Sequence, residues 1–330
     1  MGAELLTTTD KLLYLGRVAW SQARLPVELR RLSVAAEHMR ERAFPRGLVL
    51  ARDGEPLASC YLLVRGRVRV SRRGRVLGEA EPGSLVGLED LVSQDHLGLG
   101  LVAATDVLAL QLDSDTLFSI LGDDFSLVHE AIRGASRRLL ALTRRVPGSR
   151  DDSAGLQFHQ PAGRRMNVVE VLLFLRTPGG PFERSSIDAL AELAVTFRQV
   201  PFERGHVFFR KGEPAERIAL VVEGSVACTS PPGAGPGVWH VDAGRWLGTL
   251  EAAAGEQHWY DAVAETAGVV LEQDVESLAD LFEDNVDVAL DYLGWVSRTT
   301  MDLIEGTLGP GRELFEFFTT LPGAPPQPKT

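Results

Sequence analysis

Residues 86–106, VGLEDLVSQDHLGLGLVAATD, bring a glycine turn at Gly87, a carboxylate at Glu89 and a histidine at His96 into one short stretch. A glycine turn and a carboxylate running on into a strand have the rhythm of a loop made to hold a phosphate. That is chemistry for holding a phosphate ester, yet no Arg or Lys stands between Leu91 and Asp106 to neutralise one. A second stretch is built alike, with Gly248, Thr249, Glu251 and His258, then the bulky pair Trp259 and Tyr260. It has no cation either. A histidine near its reference pKa of about 6.5 is mostly neutral at pH 7, unless carboxylates such as Glu251 and Asp261 raise it.

Other chemistries find no footing. The seven histidines (His38, His96, His129, His159, His206, His240 and His258) stand alone, without the H-x-H or H-x-x-H spacing of a metal site. Cys60 and Cys228 fall inside the apolar runs SCYLLV and SVACT, which suits buried small hydrophobes better than ligands or nucleophiles. There is no G-x-S-x-G elbow, no P-loop and no dinucleotide fingerprint. The expectation is a protein that is not an enzyme and carries no metal or cofactor.

The elements that must position these residues occur twice. FPRGLVLARDGEP (44–56) is matched by FERGHVFFRKGEP (202–214), and YLLVRGRVRV (61–70) by ALVVEGSVAC (219–228), both at a spacing of 158. EPGSLVG (81–87) answers DAGRWLG (242–248), and TDVLALQLDSDTL (105–117) answers TAGVVLEQDVESL (266–278), now at 161. The three extra residues fall in the hairpin PPGAGPG, 231–237, where length change is cheap. Each repeat reads as a helical entry, short β runs punctuated by glycines, and a long closing helix. The closing seams are Phe125, Val128, Ile132, Ala135, Leu139 and Leu142, and 161 residues on Val286, Ala289, Leu293, Val296, Thr300 and Leu303. Spacings of three and four make each a narrow apolar seam, packed either on its own roll or on the other seam.

These anchors resemble the cyclic-nucleotide-binding domain family, of the catabolite-activator and protein-kinase-A regulatory-subunit type. The likeness lies in the G-E-P after VLARD and VFFRK, the G-x-V closing YLLVRGRV and ALVVEGSV, the PGSLVG and AGRWLG turns, and the final long helix. It implies an α+β fold of two antiparallel, jelly-roll-like β-rolls, each with N-terminal entry helices and a closing helix. The expected domains are residues 1–146 and 166–308, a Gly/Pro-rich linker at 147–165, and a C-terminal segment at 309–330 with a flexible Pro-rich tail. It also implies a phosphate-binding cassette of the form F-G-E-x-A-L, followed by R-x-A. In that cassette the arginine neutralises the phosphate and the glutamate holds the ribose 2′-hydroxyl.

Here both cassettes are degenerate. Gly87 and Gly248 stand in register, but Leu88 and Thr249 replace the glutamate, with Glu89 and Glu251 one and two places late. Leu97, with His96 beside it, and His258 stand where the arginine belongs. Gly87, Glu89, His96, Gly248, Thr249, Glu251 and His258 are the candidate ligand contacts, and tight cyclic-nucleotide binding is not expected. The helical stretch 167–197 resembles a helix-turn-helix but runs directly into the second roll, so it reads as that roll's entry helices.

The net charge of −11 is split as +3 over residues 1–165 and −14 over 166–330, which disfavours nucleic acid as a partner. No apolar run is long enough to cross a membrane, and the N-terminus has no signal-peptide pattern, so a cytoplasmic location is expected. A protein partner is the favoured binding class. Arg67 and Arg69 on one strand face, and Phe315, Phe317 and Phe318 in GRELFEFFTTL, are the candidate contacts. A monomer results if the seams pair within the chain, a homodimer if they pair between chains. The leading function is a regulatory scaffold; the alternative is a small-ligand sensor working mainly through the second repeat.

Overall fold

The computed structural model describes residues 6–22, 29–93, 96–145, 165–233 and 237–307. Two compact units interleave along the sequence: Met1–Glu130 with Thr300–Thr330, and Ala131–Thr299.

In the first unit, α1 (Thr8–Gln22) and α2 (Leu29–His38) lead into β1 (Arg40–Phe44), β2 (Val49–Ala51), β3 (Ser59–Arg65), β4 (Val68–Arg72), β5 (Arg75–Ala80) and β6 (Leu85–Val86). The short helix α3 (Leu88–Val92), β7 (Leu99–Ala103), β8 (Val107–Asp113), α4 (Ser114–Asp123) and α5 (Phe125–Arg145) follow. The strands form two four-stranded antiparallel sheets, ordered β1-β8-β3-β6 and β2-β7-β4-β5. Period-two alternation explains why they face each other: in β4, Val68 and Val70 are buried while Arg69 is exposed. The β4–β5 hairpin turns through Arg73 (φ 52°) and Gly74 (φ 74°), both left-handed, as a tight two-residue turn requires. The Asp53 carboxylate holds it by accepting from both turn amides, at 2.8 and 2.9 Å.

The second roll repeats the plan. Entry helices α6 (Val168–Leu175) and α7 (Ile187–Thr196) precede β9 (Arg198–Phe202), β10 (Val207–Phe209), β11 (Arg217–Glu223), β12 (Ser225–Thr229), β13 (Val238–Asp242) and β14 (Trp246–Leu247). Then come α8 (Thr249–Ala254), β15 (Asp261–Ala264), β16 (Gly268–Asp274), α9 (Val275–Asp284) and α10 (Val286–Thr307). Its sheets are ordered β14-β11-β16-β9 and β10-β15-β12-β13, strand for strand those of the first roll. Asn167 and Glu170 close a capping box at the start of α6, so the helix-turn-helix-like stretch is an entry hairpin.

Each closing element is a pair of helices rather than one, α4 with α5 and α9 with α10. The seams are buried at Val128, Ile132, Ala135, Leu139 and Leu142, and at Ala289, Leu293, Val296 and Thr300. The second unit adds a contact that neither reading of the seams contains. Leu140 of α5, one residue off the seam, lies in the buried cluster of the second roll with Phe202, Leu247, Trp259 and Tyr260. Both cysteines are free and buried, and burial pushes the Cys60 thiol up to about 12. No described helix is long and apolar enough to cross a membrane.

Candidate functional site

The first cassette begins where β6 delivers the chain to Gly87, whose φ of 88° is left-handed. A Cβ there would stand 2.6 Å from Leu57 Cδ2, so the turn needs glycine both for its conformation and for its close approach. Of the residues that follow, Leu88 and Glu89 are half-buried. Asp90 is the one withdrawn from water altogether, at 0% exposure. Its Oδ2 accepts from the Leu57 amide at 3.1 Å and its Oδ1 from the Leu99 amide at 3.2 Å. The acid nearest the expected glutamate position is therefore not the one that occupies the turn's interior. His96 is exposed, at φ 51°, and its backbone N–H donates to the Ser93 carbonyl at 2.9 Å.

Leu97, the residue expected from the sequence to stand in place of the family's arginine, is buried. Its carbonyl accepts from Arg72 Nε at 3.0 Å. A cation thus does reach this cassette, from the end of β4 rather than from the cassette itself. It is already committed: Arg72 Nη1 lies 3.0 Å from Asp302 and 3.3 Å from Glu305, while Arg73 meets Glu305 at 3.4 Å. The Arg72 side chain is only 7% exposed and Glu305 14%, so the cation is withdrawn from solvent, while Asp302 stays 61% exposed.

In the second cassette Gly248 (φ 75°) plays the part of Gly87. Thr249, Glu251, His258, Trp259 and Tyr260 are all buried, which gathers the candidate residues of this repeat into one interior. The His258 ring stacks on Phe209 with centroids 3.5 Å apart and planes 5° from parallel. Trp259 stacks on Trp239 at 5.5 Å, and Tyr260 lies 4.8 Å from Trp239. Arg144 of α5 lies 5.8 Å from the Trp259 ring and pairs with Glu256 at 2.9 Å. Arg137 Nε donates to the Ala254 carbonyl at 2.9 Å, and the Tyr292 hydroxyl of α10 donates to the Thr249 carbonyl at 3.2 Å.

Burial decides the charges. It pushes Glu251 up to about 7, against the pull of its own backbone N–H, the Trp259 indole and Arg144, with Glu256 adding to the rise. Burial also pushes His258 down to about 4, with only Glu213 opposing, so the ring is neutral at pH 7. The sequence reading of a mostly neutral ring thus agrees with its surroundings: burial of the stacked ring outweighs the one opposing carboxylate, Glu213. Thr249 Oγ1 and His258 Nδ1 are buried without a protein hydrogen-bond partner.

The expected partner contacts fare unevenly. Arg67 and Arg69 share an exposed strand face, but both pair with Glu79, at 3.0 and 3.6 Å. Phe315, Phe317 and Phe318 lie outside the described residues. No group of three metal-ligating side chains occurs among the described residues. Sequence reasoning missed Asp90 and Arg72. A signal for Asp90 was present, since it and Glu251 both stand three residues past the cassette glycine.

The family model for the cyclic nucleotide-binding domain matches residues 41–124 and again 199–285, together just over half of the chain. The chain belongs to the cyclic nucleotide-binding domain family. Among curated proteins, none matches in sequence. Solved structures similar to it include the regulatory subunit of a cAMP-independent protein kinase A from Trypanosoma brucei. The two are 19% identical over 89% of this chain and 91% of that one, with a TM-score of 0.34. The corresponding Trypanosoma cruzi subunit, bound to guanosine, is 15% identical over 93% and 97%, with a TM-score of 0.32. The Thermus thermophilus catabolite activator protein is 17% identical over 37% of this chain and 58% of its own, with a TM-score of 0.34. Within the family, this chain carries two rolls in tandem.

Proposed function

We propose that this chain is a non-enzymatic, cytoplasmic regulatory protein that binds another protein through its two rolls, and that neither cassette takes a cyclic nucleotide tightly. One observation supports this most. Each cassette keeps its left-handed glycine and short helix but buries a carboxylate three residues on, Asp90 or Glu251, with neutral Leu97 or His258 where the arginine belongs. An arginine contact to phosphate is worth roughly 1.5–3 kcal/mol. A like charge at about 4 Å costs on the order of 4 kcal/mol at an effective dielectric of 20. The first gain is missing in both cassettes, and the second cost applies wherever the acid is ionised.

The working division is two rolls at 1–146 and 166–308, a linker at 147–165 and a C-terminal segment at 309–330. The Arg67 and Arg69 face and the three C-terminal phenylalanines are the proposed contacts, and light scattering separates monomer from homodimer. The deciding experiment is thermal unfolding with millimolar cyclic mono- and dinucleotides, followed by partner capture. The expected result is no shift with any nucleotide, and a partner whose retention falls at least tenfold with Arg67→Glu/Arg69→Glu. A saturable upward shift of 2–4 °C, as a ligand at 100 times its Kd produces, refutes it.

A second reading, a small-ligand sensor, has its own observation. Thr249 Oγ1 and His258 Nδ1 are buried in the second roll without a protein hydrogen-bond partner, groups that an uncharged, hydroxyl-bearing ligand would satisfy. A nucleotide or nucleoside shift that disappears in His258→Phe would favour it.

A further inference from the structure

Asp90 is 0% exposed, and each of its two carboxylate oxygens accepts from a backbone amide. The donors come from separate segments: Leu57, ahead of β3, and Leu99, the first residue of β7. Neither belongs to α3, which carries the aspartate. Two amides from separate segments converging on one buried carboxyl group form a clamp, and a carboxyl attached to the chain fills it without the translational cost of a free ligand. We propose that Asp90 is the resident anion of the first cassette and sets the specificity of that roll by excluding external phosphate esters. The inference rests on the reading that cyclic nucleotides do not bind tightly, and it assigns that exclusion in the first roll to one side chain. The repeat supports it independently: Glu251, 161 residues on, is the matched acid and is also buried.

The test is Asp90→Ala in the full chain, titrated with inorganic phosphate and with cAMP against potassium chloride of equal ionic strength. Melting temperature and the amide resonances of Leu57 and Leu99 are followed. In the unaltered protein neither resonance moves. In Asp90→Ala the melting temperature is lower, phosphate restores roughly 2–4 °C at saturation, and both resonances shift saturably. A folded Asp90→Ala whose two amides respond to phosphate no more than to chloride overturns the proposal.

If that variant does not fold, Asp90→Asn replaces it. Its side-chain oxygen can satisfy only one of the two donors, so hydrogen exchange at Leu57 or Leu99 should accelerate at least tenfold. Unchanged exchange at both overturns the proposal. Binding of cAMP by the unaltered protein separates the two ideas. Movement of the Leu57 and Leu99 resonances defeats this inference, whereas binding without it defeats only the proposed function.

Discussion

Glu251→Gln should make the protein more stable at alkaline pH and leave it nearly unchanged in acid. Burial raises the folded-state pKa of Glu251 to about 7 from an ordinary 4.5. A raised carboxyl binds its proton more tightly when folded, so its contribution to stability is complete below the unfolded value. It drains away as pH rises through the folded value, a window of about pH 4.5 to 7. At about 1.36 kcal/mol per pKa unit the loss has an upper bound of about 3.4 kcal/mol, and about 2 kcal/mol is expected after relaxation. Glutamine has nearly the same shape and does not ionise. The stability difference between Gln and Glu proteins should therefore sit within about 1 kcal/mol of zero at pH 5 and climb by about 2 kcal/mol by pH 8. Urea unfolding at fixed pH values reads this directly, and taking the difference cancels every other titrating group. His258 makes the comparison necessary. Its pKa is lowered to about 4, so its own contribution is present above 6.5 and lost as pH falls to about 4. The two slopes oppose each other between about 4.5 and 6.5, and the unaltered protein can look insensitive to pH there. A pH-independent difference between the Gln and Glu proteins would mean that Glu251 titrates normally, and that the buried interior described around it is wrong.

Two further predictions concern the frame. Arg72→Met removes a largely buried cation facing Asp302 and Glu305. Breaking a fully buried pair costs about 3–5 kcal/mol, but Asp302 is 61% exposed, so a cost of about 2 kcal/mol is expected from chemical denaturation. Adding Glu305→Gln should recover part of it, and an additive double variant would show that the pair is not coupled. Gly87→Ala should cost more than Gly248→Ala. Both strain a left-handed turn by about 1–2 kcal/mol, but the new Cβ meets Leu57 Cδ2 at 2.6 Å in the first and nothing closer than 3.1 Å in the second. Equal melting temperatures would contradict the packing drawn for the first turn.

The tandem frame was legible because it depends on local backbone requirements. The glycine pairs Gly66 and Gly224, and Gly87 and Gly248, all adopt positive φ, and such positions recur at fixed offsets however far the surrounding side chains drift. The entry hairpin α6–α7 was placed correctly because its pattern abuts β9 without a gap. What stayed hidden depends on distance in sequence. Arg72 meets carboxylates on the last helix, about 230 residues away. Asp90 sits beside Glu89, and two neighbouring acids read as a solvated face until the fold shows one at 0% exposure. His258 was read as mostly neutral at pH 7; what the sequence did not show is how far burial of a ring stacked on Phe209 holds its pKa down.

The two cassettes meet the same difficulty with different outcomes. A carboxylate buried at the turn must be compensated, because an unpaired charge in that interior costs several kcal/mol. The short aspartate of the first roll reaches two backbone amides, and both its oxygens are satisfied by groups fixed in the frame. The glutamate of the second roll is one methylene longer and titrates near neutrality, because burial outweighs its surrounding partners. Thr249 Oγ1 and His258 Nδ1 of the same roll are buried without a protein hydrogen-bond partner. The first turn is therefore closed electrostatically and the second is poised. If either roll responds to a solute or to pH, the physical chemistry favours the second, whose interior also receives Arg137, Leu140 and Arg144 of α5. A proton taken up by Glu251 would remove a buried charge beneath that helix.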